Sequence, residues 1–256
     1  EESLDGIMFL RDNRHVVLSR QCQIFKQYAR ETLNQWEQLR HSLSSQGDEL
    51  AGEISIYCSV TASYSFLYDL LSDFRLRYPR IELKLHTGDP EDAMNRVLAG
   101  EEDMAITPRP RSTPSALAFK SLTRSPLVFI APVALADWTP ATPASPSVEQ
   151  WRGVPMILAE AGLSREYADT WFRALGVTPT IYAQVAGHEA IVSMVSLGFG
   201  IGVVPRIVLD TSPLLERVRV LTVKPELPHY DIGLCVLNRR RKLPLIQALW
   251  DEVKER

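Results

Sequence analysis

Between Leu18 and Leu43, apolar or small residues fall at Leu18, Cys22, Phe25, Ala29, Thr32, Trp36, Leu39 and Leu43, an unbroken 4-3-4-3 alternation. A helix with this spacing carries a narrow apolar seam suited to a second helix, and over this span it runs ~40 Å at 1.5 Å per residue. Packing on one small core does not need that length. The pattern therefore predicts a pairing helix over 18–47, with Phe25, Ala29, Trp36, Leu39 and Leu43 as its dimer seam. Burial inside a single globular domain is the plainer alternative, and Thr32 is a weak seam residue. The stretch 1–17 is too short to fold alone and reads as the remnant of a preceding module. A large α/β body follows the helix.

At 256 residues the chain exceeds one ordinary domain, so two core-forming lobes plus an extension are expected. A hydrophobic share of 45% with 23% charged residues is that of a soluble globular protein. The net charge of −3 supplies no basic field for nucleic acid, so any main DNA contact is expected outside these residues. Cys22, Cys58 and Cys235 are scattered, with no C-x-x-C, which fits a reducing cytoplasm and speaks against a disulfide framework or a zinc site. No apolar run approaches the ~18 residues of a membrane span, and no signal peptide is expected.

The body opens with a buried strand at 54–58, and the small polar run from Ser59 to Ser65 offers N-caps to a helix whose face is Leu67, Leu70, Leu71 and Phe74. Pro79 stops that helix. Strand 81–85 alternates, Thr87 to Pro90 is expected to open the next helix with Pro in its first turn, Gly100 ends it, and 104–106 is a third strand. This β-α-β-α-β order implies a parallel sheet with right-handed crossovers. Strand 127–131 and a Pro/Ala/Thr-rich loop to Pro146 lead to a second set. It comprises strand 156–159, helix 165–175, strand 180–185, helix 188–197 and strand 201–204. Strand 232–237 and a final helix over 243–254 are placed to return to the first lobe. The division expected is lobe one over 52–126 and 228–256, lobe two over 127–227, with a cleft between.

Gly198-Phe-Gly-Ile-Gly202 follows a helix and precedes a strand, the reverse of a dinucleotide-binding loop, so close packing is its better explanation. No nucleophile elbow, H-E-x-x-H or phosphate loop is present. The five histidines, at 15, 41, 86, 188 and 229, have no metal-ligand spacing, so neither a metal nor a catalytic residue is expected. Arg239 to Lys242 reads as a solvated turn. Three helix starts carry small polar residues instead: Ser59 to Ser65, Gly162 to Arg165, and Gly187-His188-Glu189. Helix N-termini at the carboxyl ends of sheet strands offer free N–H groups and a positive dipole end, which suits a small carboxylate. Ordinary capping explains each one singly. As a group the expected effector contacts are Ser59, Thr61, Ser63, Thr87, Thr107, Ser164, Gly187, His188 and Glu189, with Thr61 at the centre.

Several stretches resemble the LysR-type transcriptional regulators. Phe9 to Arg14 and Val16 to Ser19 resemble the wing of the family's winged helix-turn-helix and the start of its linker helix. Gly52 to Ile56, Phe74 to Pro79, Gly88-Asp89, Ala99 to Ile106 and Gly198 to Pro205 are similar to its effector domain. Within the family, Cys58 to Ser65, Asp92 to Met94, Ile130 to Pro132, Ile181 to Ala183 and Gly187 to Val195 resemble the activators of the acetohydroxy acid isomeroreductase gene, in branched-chain amino acid biosynthesis.

The resemblance implies an α/β fold: a linker helix followed by a two-lobed, periplasmic-binding-protein-like (type 2) effector domain. It implies a cytoplasmic homo-oligomer, dimer or tetramer, that binds operator DNA through a preceding domain, works with RNA polymerase and needs no cofactor or membrane. Arg11 and Arg14 would touch DNA phosphates from the wing. The implied inducers are 2-acetolactate and 2-aceto-2-hydroxybutyrate, each with a carboxylate, a tertiary hydroxyl, a ketone and a short alkyl group. An extracytoplasmic solute-binding protein of the same fold is the runner-up and has no use for the seam. An enzyme of this fold, a dehydratase or deaminase, needs a reactive pair, and the sequence suggests neither Cys–His nor Ser–His.

Overall fold

A computed structural model describes residues 8–11, 16–43, 50–134 and 147–253. Strands β1 (Phe9–Arg11) and β2 (Val16–Leu18) pair antiparallel, Phe9 opposite Leu18. Ser19 then turns the chain into α1 (Arg20–Leu43): its N–H donates to the Met8 carbonyl at 2.9 Å and its hydroxyl accepts from the Cys22 N–H at 3.0 Å. A serine in this position is an N-cap. Leu18 is therefore the last residue of a strand and not the first of the seam. Cys22 is buried at the helix start, whereas Phe25, Trp36 (61% exposed) and Leu39 (49%) face outward and Ala29 is half-buried. Residues 44–47 of the expected helix, the Leu43 side chain and Arg14 lie outside the described residues. The Arg11 side chain does too, although its backbone closes the β1–β2 hairpin.

The body begins with β3 (Ala51–Cys58), α2 (Val60–Arg77), β4 (Arg80–Thr87), α3 (Ala93–Leu98) and β5 (Met104–Pro108), in which β3 lies parallel between β4 and β5. Then come β6 (Leu117–Pro132), α4 (Val148–Gly153), β7 (Pro155–Ala159), α5 (Gly162–Ala174), β8 (Thr180–Val185), α6 (His188–Ser196) and β9 (Ile201–Pro205). Helix α7 (Arg206–Asp210), β10 (Val218–Leu221), β11 (His229–Leu237) and α8 (Pro244–Glu252) complete it. The strands form one sheet in the order β4-β3-β5-β11-β6-β9-β7-β8, with β10 beside β6.

Strand β6 joins the two halves of that sheet. Its residues 117–126 pair with β11, and 127–132 pair with β9 and β10. The chain thus passes from the first half to the second inside one strand and returns at the entry to β11. Each half has its own packed cluster. Ile54, Ile56 and Cys58 of β3 and Leu70 and Phe74 of α2 are buried together in the first. Phe129, Trp151, Trp171 and Phe172 cluster in the second with ring centroids 4.7–5.9 Å apart, a range in which tilted and edge-on aromatic pairs attract. At Gly202 a Cβ would strike Ile191 and Val195 of α6, and at Gly200 the Pro155 carbonyl, so this glycine run serves close packing.

Pro90 does not open α3. The Asp89 side chain accepts from the Glu91 N–H at 3.0 Å, and the turn it makes delays the helix to Ala93. The first ten residues of β6, all of α4, α7 and β10 had no assigned role in the sequence. Interspersed Lys120, Arg124 and Thr123 hide the β6 alternation, and α7 and β10 are too short to show a period.

Candidate functional site

The two halves meet at a cleft beneath the carboxyl ends of β3 and β5. On the first side, β3 ends at Cys58 and Ser59 caps α2, its hydroxyl accepting from the Ala62 N–H at 3.1 Å. Thr61 is then fixed in the first turn with its own N–H unused by the helix. On the second side, Gly187 takes a φ of +81°, a backbone conformation that favours glycine, and directs His188 and Glu189 at the head of α6 into the cleft. The cleft walls include Ser59, Thr61, Thr107, His188 and Glu189, with Phe66, Ile106, Ile207 and Tyr230 supplying apolar surface.

The structure brings together five of the nine expected contacts. Ser63 donates its hydroxyl to the Val60 carbonyl at 2.7 Å, a helix-start bond that does not line the cleft. Thr87 is exposed at the end of β4, outside the cleft: it shares a face with half-buried Ile81 and Leu83, but the last four residues of the strand are all exposed. Gly187 acts through its backbone. Ser164, in the first turn of α5, is buried, and its hydroxyl lies 3.0 Å from His188 Nε2. That is a Ser–His pair that the sequence did not announce. The serine does not line the cleft, so the bond orients the imidazole instead of preparing a nucleophile. Burial holds the His188 pKa below its ordinary 6.5 despite the nearby Glu189 and Asp89, so the ring is neutral. Thr107 is buried, with its hydroxyl 3.3 Å from the Pro90 carbonyl.

Three carboxylate and hydroxyl placements were not read from the sequence. Glu189 reaches across the cleft: the Thr61 N–H donates to its Oε1 at 2.9 Å and the Thr61 hydroxyl to the same oxygen. Partial burial pushes Glu189 up, but the Thr61 hydroxyl, the N–H groups of Glu189 and Thr61, and His188 outweigh it, leaving its pKa below 4.5. Glu91 reaches the other way, its carboxyl group against the bare α-carbon of Gly162 and accepting from the Leu163 N–H at the start of α5. Tyr230 of β11 is buried at the cleft wall, its ring edge-on to His188 and its hydroxyl beside Ser164. Glu91 follows the Gly88-Asp89-Pro90 turn and Tyr230 begins a strand; neither carries a local signal of its position. Among the described residues no three His, Cys, Asp or Glu are placed to hold a metal, and no helix is long and apolar enough to cross a membrane.

Comparison with known proteins agrees with this architecture. Residues 47–256 match the LysR substrate binding domain. The chain is 42% identical to the HTH-type transcriptional activator IlvY of Salmonella typhimurium over 98% of its own length and 85% of that protein's. Against the HTH-type transcriptional regulator IlvY of Escherichia coli it is 42% identical over 98% and 84%, and against IlvY of Haemophilus influenzae 37% over 98% and 85%. Among solved structures, full-length OxyR from Pseudomonas aeruginosa superposes with a TM-score of 0.68 at 20% identity, covering 98% of this chain and 81% of that one. The effector binding domain of QuiR in complex with shikimate gives 0.67 at 20%, over 80% and 96%.

Proposed function

Because the chain belongs to the LysR-type transcriptional regulators, we propose that it is the linker and effector-sensing part of a transcriptional activator of branched-chain amino acid biosynthesis, responding to 2-acetolactate or 2-aceto-2-hydroxybutyrate in the cytoplasm. Identity of 42% to IlvY proteins over 98% of this chain supports the assignment of class. The single observation that carries the effector site is the start of α2, where Thr61 directs an N–H and a hydroxyl at a carboxylate lying across the cleft. An inducer carboxylate takes those donors. His188, neutral and oriented by Ser164, donates to the inducer's ketone or exchanges a hydrogen bond with its hydroxyl, and Phe66, Ile106 and Ile207 receive its alkyl group.

In this reading lobe one is 52–126 with 228–256 and lobe two is 127–227, hinged within β6 and at the entry to β11. An inducer that binds one lobe arrangement better than another shifts their populations, and the linker helices pass the shift to the DNA-binding ends. The outward-facing Phe25, Trp36 and Leu39 of α1 supply the pairing surface of a dimer. Operator DNA and RNA polymerase are the further partners, the wing arginines Arg11 and Arg14 touching phosphates.

Calorimetric titration of 2-acetolactate into the chain and into Thr61→Val tests the site. A hydrogen bond to a charged group is worth ~1.5–3 kcal/mol, so affinity should fall roughly ten- to hundredfold. Equal affinities with the fold intact by circular dichroism place the inducer elsewhere.

A further inference from the structure

The carboxylate seat at the start of α2 is already taken by the chain itself. Glu189 belongs to the half of the sheet opposite Thr61 and lies 128 residues away, yet it accepts both donors of Thr61. With Glu189 there, the enclosed part of the cleft is small, about 30 Å³, room for roughly two waters at ~10–15 Å³ each.

We propose that Glu189 is an internal occupant of the effector's carboxylate seat, which bridges the empty halves, and that an effector binds by displacing it. The proposal rests on the effector reading above for the identity of the incoming carboxylate. Two carboxylates do not share one pair of donors, since like charges at contact distance disfavour each other strongly. Entry of one therefore expels the other. The exchange breaks the Thr61–Glu189 bridge, so binding and the relation between the halves are coupled at the head of α6. A tethered competitor acts at millimolar effective concentration and lowers the apparent affinity for any free carboxylate. Glu189 is thus a sensitivity element: it sets the concentration at which a free carboxylate enters.

Two measurements on the full chain test this. The first needs no ligand: amide hydrogen exchange followed by NMR in the parent and in Glu189→Ala. The Thr61 amide should exchange at least tenfold faster in the variant. The Ala62 amide, bonded to Ser59 within its own helix, should be unchanged and serves as the control for folding. An unaltered Thr61 rate overturns the occupancy. The second is calorimetric titration of 2-acetolactate into the parent, Glu189→Gln and the pair Glu189→Gln with Thr61→Val. Displacement predicts roughly tenfold tighter binding to Glu189→Gln. Weaker binding to Glu189→Gln makes Glu189 a direct effector contact and overturns the proposal while leaving the site reading in place. If adding Thr61→Val to Glu189→Gln changes nothing, or no variant binds 2-acetolactate, the site reading is what fails, and the occupancy is decided by the Thr61 exchange rate.

Discussion

Two helix starts, one in each half of the sheet, each receive a carboxylate from the opposite half. At α2, Ser59 caps the helix and Thr61 offers both an N–H and a hydroxyl to Glu189, whose pKa is held below its ordinary value. At α5, the capping position is Ala161, whose methyl cannot hydrogen-bond, and Glu91 meets the Leu163 N–H with Asp89, Glu166 and Asp92 nearby. Burial, with those neighbouring carboxylates, outweighs that one N–H and raises the Glu91 pKa. Both sites have the free N–H groups and positive end of a helix dipole. The difference shows that the dipole alone does not make an anion seat. Hydroxyl donors and the absence of neighbouring negative charge decide which helix start holds an ionised carboxylate comfortably.

The comparison breaks most visibly at the backbone. Gly162 has a φ of +86° and its α-carbon lies against the Glu91 carboxyl group. Gly162→Ala should destabilise the chain by about 2 kcal/mol through left-handed strain and displacement of Glu91. Val60→Ala at the exposed first position of α2 should stay within ~0.5 kcal/mol. Urea unfolding of the two variants tests this, and equal costs would remove the asymmetry between the helix starts. Next in size is Thr61→Val, expected to cost about 1 kcal/mol. Glu189 is exposed at the rim, so its bond to Thr61 is worth less than a buried charged one. In the same variant the Glu189 carboxyl should titrate higher, observable by side-chain carbon NMR.

The smallest effect is in pH. Glu189 titrates below its ordinary 4.5, so the stability it contributes is complete above pH 4.5 and is lost as pH falls through its lowered value. Glu91 titrates above 4.5, so the stability of its protonated form is complete below pH 4.5 and is lost as pH rises through its raised value. His188, held below 6.5, adds a loss as pH falls from 6.5. Each variant is therefore compared with the parent at the same pH. Glu91→Gln should flatten the decline on the rising side and Glu189→Gln the decline on the acid side. Identical profiles for both, from urea unfolding at several pH values, would show that the two carboxyl groups have equivalent surroundings.

Much of this was written locally. The cap at Ser59, the donors of Thr61, the glycine turn that presents His188 and the glycines packed behind α6 all depend on residues within a few positions of one another. Helix and strand periods and capping chemistry act over the same range, which is why the chain's elements and the candidate seat at α2 were legible, together with the resemblance to the LysR family. The exceptions were local too: the cap at Ser19 moved Leu18 into a strand, and the turn at Asp89 delayed α3. What tertiary structure alone decided is which groups meet. Glu189 was read as a contact for an effector and is found on Thr61. Ser164 was read as a donor to the cleft and is found behind His188. Thr87 and Ser63, of the same chemical type as Thr61, face away from the cleft. Glu91 and Tyr230 had no signal at all. Hydrogen bonding is short-ranged and indifferent to sequence separation, so the pairing of residues 128 positions apart exists only once β6 has carried the chain from one half of the sheet to the other.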